Sequence, residues 1–126
     1  MDFEKMTREA YESLSRWDVD AVLALFAADA KFFVPGATRI SGDHERARVP
    51  EVLETMRAVS AGALRRDVLD VVATSSGAMA VLHEYVTRDG QEIDYHSIHD
   101  WDIRNDKVAY WWVYVHEYDR FDRAWS

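Results

Sequence analysis

Two periodicities divide this chain, and together they predict an α+β fold. Up to about residue 61, apolar residues recur every three or four positions, the spacing that lines one face of a helix. From residue 64 onward they alternate with polar residues and are interrupted by short turn sequences, as in antiparallel strands. A length of 126 residues with 48% hydrophobic content supplies one core, so residues 1–126 are expected to form a single domain. No repeat, linker or low-complexity tract divides them.

In "DFEKMTREAYESLSRW" the apolar positions are Phe3, Met6, Ala10, Leu14 and Trp17, which share a helical face, and Asp2 can cap the start. "DVDAVLALFAADA" begins with the N-cap candidate Asp18 and gathers Val19, Val22, Leu25 and Phe26 on one side, a short second helix. "KFFVPG" reads as a strand ended by Pro35 and Gly36, and "ATRISGDHERAR" as a polar loop. Pro50 suits the first turn of a third helix that runs to about Ala61, stops at Gly62 and buries Val52, Leu53, Met56 and Val59. Four strands then follow: Leu64 to Thr74, Ala78 to Arg88, Gln91 to Arg104 and Lys107 to about Tyr118. They are separated by "SSG", the hairpin turn "RDG" and the turn "ND". Three helices in total, gathered on one side of a curved antiparallel sheet, complete the expectation.

Charge and composition exclude several functions. A net charge of -8 with acids and bases interspersed offers no basic patch to neutralise phosphates, so neither nucleic acid nor an anionic membrane is an expected partner. There is no cysteine, hence no disulfide framework and no thiol nucleophile. No apolar run reaches the length of a membrane span and no cleavable leader is recognisable, which makes a cytoplasmic protein the default expectation.

The most informative stretch is "YHSIHDWDI", Tyr95 to Ile103. In a strand, Tyr95, Ser97, His99 and Trp101 share one face while His96, Ile98, Asp100 and Asp102 share the other. The two histidines therefore point apart, whereas two metal ligands from one strand normally stand at i and i+2. No metal and no other cofactor is expected.

The run "LSRWDVDAVLALFAADAKFFVPGATRISGDH", the later "DVLDVVAT" and the closing "NDKVAYWWVYVHEYDRFDRAWS" resemble the SnoaL-like, ketosteroid-isomerase-like branch of the nuclear transport factor 2 (NTF2-like) superfamily. The resemblance covers nearly the whole chain in the same order. It implies a cone, in which a strongly curved antiparallel sheet wraps a long N-terminal helix and encloses an apolar pocket open at one end, usually in a homodimer. It does not imply one reaction, because isomerases, cyclases, epoxide hydrolases, dehydratases and non-catalytic proteins share this architecture. Carried over by position, the ketosteroid isomerase base falls on Val34. The oxyanion-hole tyrosine of those enzymes falls on Ala10, one residue before Tyr11, and their protonated oxyanion-hole aspartate falls on His99. The acid/base aspartate of SnoaL-type polyketide cyclases falls on Val113, two residues after Trp111. Two inward acids bridged by an arginine, the arrangement of limonene epoxide hydrolases, are not found on matching strand positions.

The same resemblance turns the His99 face inward, so that Tyr95, Ser97, His99 and Trp101 line the pocket. The neighbouring strand is expected to add Val81, His83 and Tyr85, and the last strand Trp111, Val113 and Val115. Tyr11 and Trp17 from the first helix and Val34 from the first strand complete the lining. His99 and His83, with Tyr95 and Tyr85 as hydrogen-bond partners, form the expected catalytic group. Desolvation disfavours a charged imidazole, and a neutral one can act as a general base or polarise a carbonyl. His96 is expected to pair with Asp94 at the surface. Outward Tyr110, Trp112 and Tyr114 are expected to form a dimer face.

The leading expectation is a cofactor-free enzyme of isomerase, cyclase or dehydratase type. Its substrate would be an apolar, carbonyl-bearing small molecule such as a polyketide or terpenoid intermediate, with His99 as acid/base or electrophile. One alternative, favoured by the loss of both family bases, is a protein that binds and shields a small molecule without turnover. The other is an enzyme that only preorganises a reactive substrate by shape.

Overall fold

In the computed structural model, which describes residues 2–126, the chain begins with helices α1 (Phe3–Ser15) and α2 (Val19–Ala24) and the strands β1 (Phe26–Val34) and β2 (Gly42–Glu45). A 3-10 turn, Arg46–Arg48, leads into α3 (Val49–Val59). The strands β3 (Leu64–Ala73), β4 (Gly77–Arg88), β5 (Gln91–Arg104) and β6 (Lys107–Val115) and the helix α4 (Tyr118–Trp125) complete it. One curved six-stranded sheet has the order β2-β1-β6-β5-β4-β3, antiparallel throughout except where β1 runs parallel to β6. The core lies between its inner face and the helices.

Local chemistry sets most boundaries where the sequence places them. The Asp2 carboxylate accepts from the Lys5 backbone N–H at 3.0 Å and Asp18 from that of Ala21 at 3.2 Å, so both expected caps form. Pro50 occupies the first turn of α3. Asp89 and Gly90 both have positive φ (51° and 77°), as do Asn105 and Asp106 (51° and 62°), the two-residue turn geometry that matches strand twist. At Gly77 the constraint is space: a Cβ there would collide with the Trp101 carbonyl across the β4–β5 ladder.

Three expectations are corrected. The second helix stops at Ala24, and Phe26–Ala30 belongs to β1 despite its helix-forming alanines. Its partner decides this: Phe32 and Phe33 register with Trp111 and Trp112 of β6 and stack on them at 4.4 Å and 4.3 Å, with a bulge between Phe26 and Lys31. The polar loop contains β2, whose residues pair with Lys31–Val34 and stay hydrophilic because this is the sheet edge. The last strand ends at Val115 rather than near Tyr118, and a further helix follows, so the described residues form four α-helices and not three. Phe121, Ala124 and Trp125 form its buried stripe, which is too short for periodicity to announce.

Trp125 makes α4 part of the core. It is fully buried, its indole N–H donates to the Tyr95 hydroxyl at 2.9 Å, and Phe121 meets the Tyr95 ring edge-on at 5.4 Å. Arg88 secures the end of the helix through the carbonyls of Ala124 and Ser126. Among the described residues no helix is long and apolar enough to cross a membrane. Replacing Trp125 with Ala is expected to destabilise the fold by about 3–5 kcal/mol, as for other large core aromatics, measured by urea unfolding. A change below about 1 kcal/mol would show that α4 is peripheral.

Candidate active site

The ladder that sets the site is β5. Its burial alternates without interruption from Tyr95 to Ile103, with odd-numbered residues inward and even-numbered ones outward. Tyr95, Ser97, His99 and Trp101 thus stand on the inner face in a row, each 3% exposed or less.

Trp101, His99 and Ser97 join one hydrogen-bonded chain with Tyr11 and Glu84, whereas the Tyr95 hydroxyl accepts from Trp125 instead. The Trp101 indole N–H donates to the Tyr11 hydroxyl at 2.9 Å, and that hydroxyl meets Nδ1 of His99 at 2.6 Å. Indole can only donate, so the Tyr11 oxygen accepts from Trp101; at the other end of the row the Glu84 carboxylate accepts from Ser97, which leaves Ser97 to accept from Nε2–H and Nδ1 of the neutral ring to accept the Tyr11 proton. The remaining imidazole proton then belongs on Nε2, which faces the Ser97 hydroxyl at 3.3 Å. Ser97 in turn donates to Oε2 of Glu84 at 2.8 Å. Glu84 Oε1 accepts from Nε of Arg66 at 3.0 Å, in an ion pair whose side chains are only 8% (Arg66) and 4% (Glu84) exposed. Every donor in the row points the same way, towards Glu84.

Electrostatics agrees with this assignment. Burial pushes His99 down to about 4, opposed by the Glu84 charge and reinforced by Arg66. The imidazole is therefore neutral at pH 7. Burial also holds the hydroxyls of Tyr11 and Tyr95 well above the ordinary tyrosine value, so both keep their protons. A neutral His99 beside a protonated Tyr11 is a poised pair with no net charge.

In front of His99 lies a cavity of about 20 Å³. That is room for a water-sized group. Val34, Tyr95, Trp111 and Val113 border it as the resemblance implies, whereas the expected Tyr11, Ser97 and Trp101 do not; Phe32, Ile40, Leu53, Met56, Phe121, Arg66 and Glu84 complete the lining. The indole N–H of Trp111 is buried and has no hydrogen-bond partner among the described residues. A larger cleft of about 440 Å³ opens between α1 and β3, and Tyr11 and Arg66 border it.

The expected contribution of β4 is corrected. Ala80, Leu82 and Glu84 register opposite His99, Ser97 and Tyr95, which places even-numbered residues of β4 on the inner face. Val81, His83 and Tyr85 lie on the outer face, so His83 and His99 do not converge. Apolar residues occur on both faces of this strand, and a carboxylate at position 84 makes the even face look like the wrong one to bury. What permits it is Arg66, directly opposite on β3. Glu84 and Arg66 were not legible as site residues; a lone acid among Ala80, Leu82 and Val86 was the available signal. Trp17 is also displaced from the expected lining, half-buried with a φ of 55° and about 6.0 Å from the Arg57 guanidinium. Val115 packs against the core at the end of β6 without bordering the cavity.

On the outer face His83 and His96 stack at 4.1 Å. His83 reaches Asp94 at 2.7 Å and the Tyr85 hydroxyl at 2.9 Å, while His96 reaches Glu117, not Asp94, at 2.8 Å. Burial works to raise Glu117, but the backbone N–H and imidazole of His96 outweigh it and hold the carboxyl down to about 2. Among the described residues no group of three or more histidine, aspartate or glutamate side chains is arranged to hold a metal ion.

The curved six-stranded sheet with its packed helices is an NTF2-like fold. The SnoaL-like domain model matches residues 7–111, and the chain belongs to that family. No curated protein matches significantly. Among solved structures, Bal32a from a soil-derived mobile gene cassette superposes with a TM-score of 0.92 at 20% identity, covering 98% of this chain and 96% of the other. TerC, co-crystallised with polyporic acid, has a TM-score of 0.79 at 18% identity, with 91% of each chain covered. A putative polyketide cyclase from Xanthomonas campestris pv. campestris gives 0.72 at 20% identity, covering 98% and 96%. At these identities the likeness is one of fold.

The depressed His99 value has a measurable consequence. Unfolded, the imidazole takes up a proton below about pH 6.5, whereas in the folded chain it does so only near pH 4, so its contribution to stability is lost as pH falls through this window. Unfolding free energies measured from pH 7 to pH 4.5 should fall by roughly 2–3 kcal/mol more in the wild type than in His99→Gln. Parallel profiles would place the titration elsewhere.

Proposed function

We propose that this protein is a small-molecule enzyme of polyketide-related chemistry. It moves a proton on an apolar, carbonyl-bearing substrate, with His99 as the acid/base group and Tyr11 as its partner. The observation that carries this reading is the buried, neutral His99 imidazole, whose tautomer is set by Ser97 and Glu84, whose Nδ1 meets the Tyr11 hydroxyl, and whose ring borders a cavity. The Nδ1 lone pair of such a ring can take a proton by way of the Tyr11 hydroxyl that occupies it, and a bound carbonyl oxygen can be polarised by the Trp111 indole N–H, which borders the cavity and has no partner among the described residues. Membership of the SnoaL-like family and the similarity to a putative polyketide cyclase support the substrate class. Positions 34 and 113 are valines, so proton transfer here rests on different residues from the aspartates found there in related enzymes.

Hydrogen–deuterium exchange at the activated carbon of aryl β-diketones, followed by NMR in deuterated water, tests this reading. Wild-type protein is expected to accelerate exchange, and His99→Gln to lose about 10²–10⁴-fold. Tyr11→Phe should lose less, because imidazole remains. Undiminished exchange in both His99→Ala and His99→Phe would eliminate the acid/base role. A second reading, binding and shielding without turnover, is favoured by the small cavity and by the partners already on both His99 nitrogens; saturable binding with no exchange would select it.

We also propose a homodimer through the outer face of the sheet. Val72 is 52% exposed, Ile98 40% and Tyr114 49%, and they continue the row that holds Tyr110 and Trp112. Together they make a broad apolar surface of the kind that marks an association site. Light scattering should give twice the chain mass at micromolar concentration, and Trp112→Glu should give the monomer. A monomeric wild type would remove the proposal.

A further inference from the structure

Arg66 faces two compartments. Its Nε is committed inward to Glu84, yet its two terminal nitrogens have no hydrogen-bond partner among the described residues and are not sealed from solvent. The side chain is nevertheless 92% buried, being 8% exposed. It borders both the cavity before His99 and the open cleft between α1 and β3. A guanidinium held along one edge by a carboxylate presents its other edge as a fixed pair of donors, the geometry that grips a carboxylate or an enolate oxygen pair.

The cleft has the matching character. Arg8 lines it beside Arg66, against the carboxylate of Glu12; Arg65 also borders it, but its guanidinium lies over the outward Tyr85 ring at 3.8 Å. The carboxylate partners of Arg8 and Arg65, Glu4 and Asp67, are half-exposed and screened, so those ion pairs are weak. Leu64, Val68 and the Tyr11 ring supply an apolar wall, and about 440 Å³ is the size of a site for a small aromatic molecule.

We propose that the α1–β3 cleft is the substrate entry site and that Arg66 anchors an anionic oxygen of the ligand there. The substrate class is an amphipathic acid: a ring body bearing a carboxylate or an ionised enol. Anchoring at Arg66 sets such a molecule beside Tyr11, at the wall that separates the cleft from His99. The proposal deepens the enzymatic reading above and rests on it for the fate of the ligand, not for its binding.

The test compares 1-naphthoate with its neutral isostere 1-naphthamide, titrated against the intact protein by calorimetry and by quenching of tryptophan fluorescence. Wild type should bind the acid at least about tenfold more tightly than the amide, and the preference should shrink at about 0.2 M ionic strength. Arg66→Lys keeps a charge opposite Glu84 but loses the fork, and should lose most of the preference. The double variant Arg66→Met, Glu84→Gln removes both charges without stranding either, and should bind acid and amide equally while melting as a folded protein. Equal binding of the two probes by wild type, no binding of either, or an undiminished preference in Arg66→Lys would overturn the anchor. Exchange on neutral diketones is read separately: its absence would overturn the enzymatic reading while a retained acid preference leaves the anchor standing.

Discussion

The Arg66–Glu84 ion pair is the constraint around which the inner face is organised. A carboxylate in the middle of β4, flanked by Leu82 and Val86, is tolerable only because an arginine stands directly across the ladder and a serine hydroxyl takes its second oxygen. Removing one member of such a pair strands the other at about 3–5 kcal/mol, whereas the intact pair contributes little net stability. Its effect is on arrangement. Glu84 requires a donor from Ser97, Ser97 then accepts from His99, and His99 is left with one nitrogen that only Tyr11 can serve. Helix α1 is in this way tied to the centre of the sheet by chemistry as well as by packing.

Much of this was legible from alternation alone, where alternation was one-sided. On β5 the odd face carries Tyr95, Ser97, Trp101 and Ile103 and the even face Asp94, Asp100 and Asp102, so the inward placement of His99 follows from counting. On β4 the same counting fails, because Val81 and Tyr85 compete with Ala80 and Leu82 for the core. The deciding fact is a partner on another strand, which no local pattern contains. The same holds for Phe26–Ala30, whose alanines favour helix until Trp111 and Trp112 are placed beside the following phenylalanines. The fourth helix was missed for a simpler reason: eight residues give two turns, too few for a period to declare itself. Its tryptophan and phenylalanine were visible; their target, the Tyr95 ring, was not.

The outer face uses the same residue types differently. His83 and His96 are stacked and each is held by its own carboxylate, but neither reaches the cavity. Strand parity therefore separates the one buried imidazole, His99, from His83 and His96 on the opposite face. Fold membership by itself would not have separated them.

One property of the inner row reaches further than hydrogen bonding. Because indole N–H, phenol O–H, imidazole N–H and serine O–H all point towards Glu84, their dipoles add instead of cancelling, and hydrogen-bonded dipoles aligned in this way polarise one another. The row is an extended dipole that starts at an aromatic ring, crosses a helix side chain and ends on a charge. Its polarity cannot be reversed by rotating any one hydroxyl, since Trp101 cannot accept and the ionised Glu84 cannot donate. Any polar group placed in the cavity would meet a field of set direction, and the two ways round of its own dipole would differ in energy there.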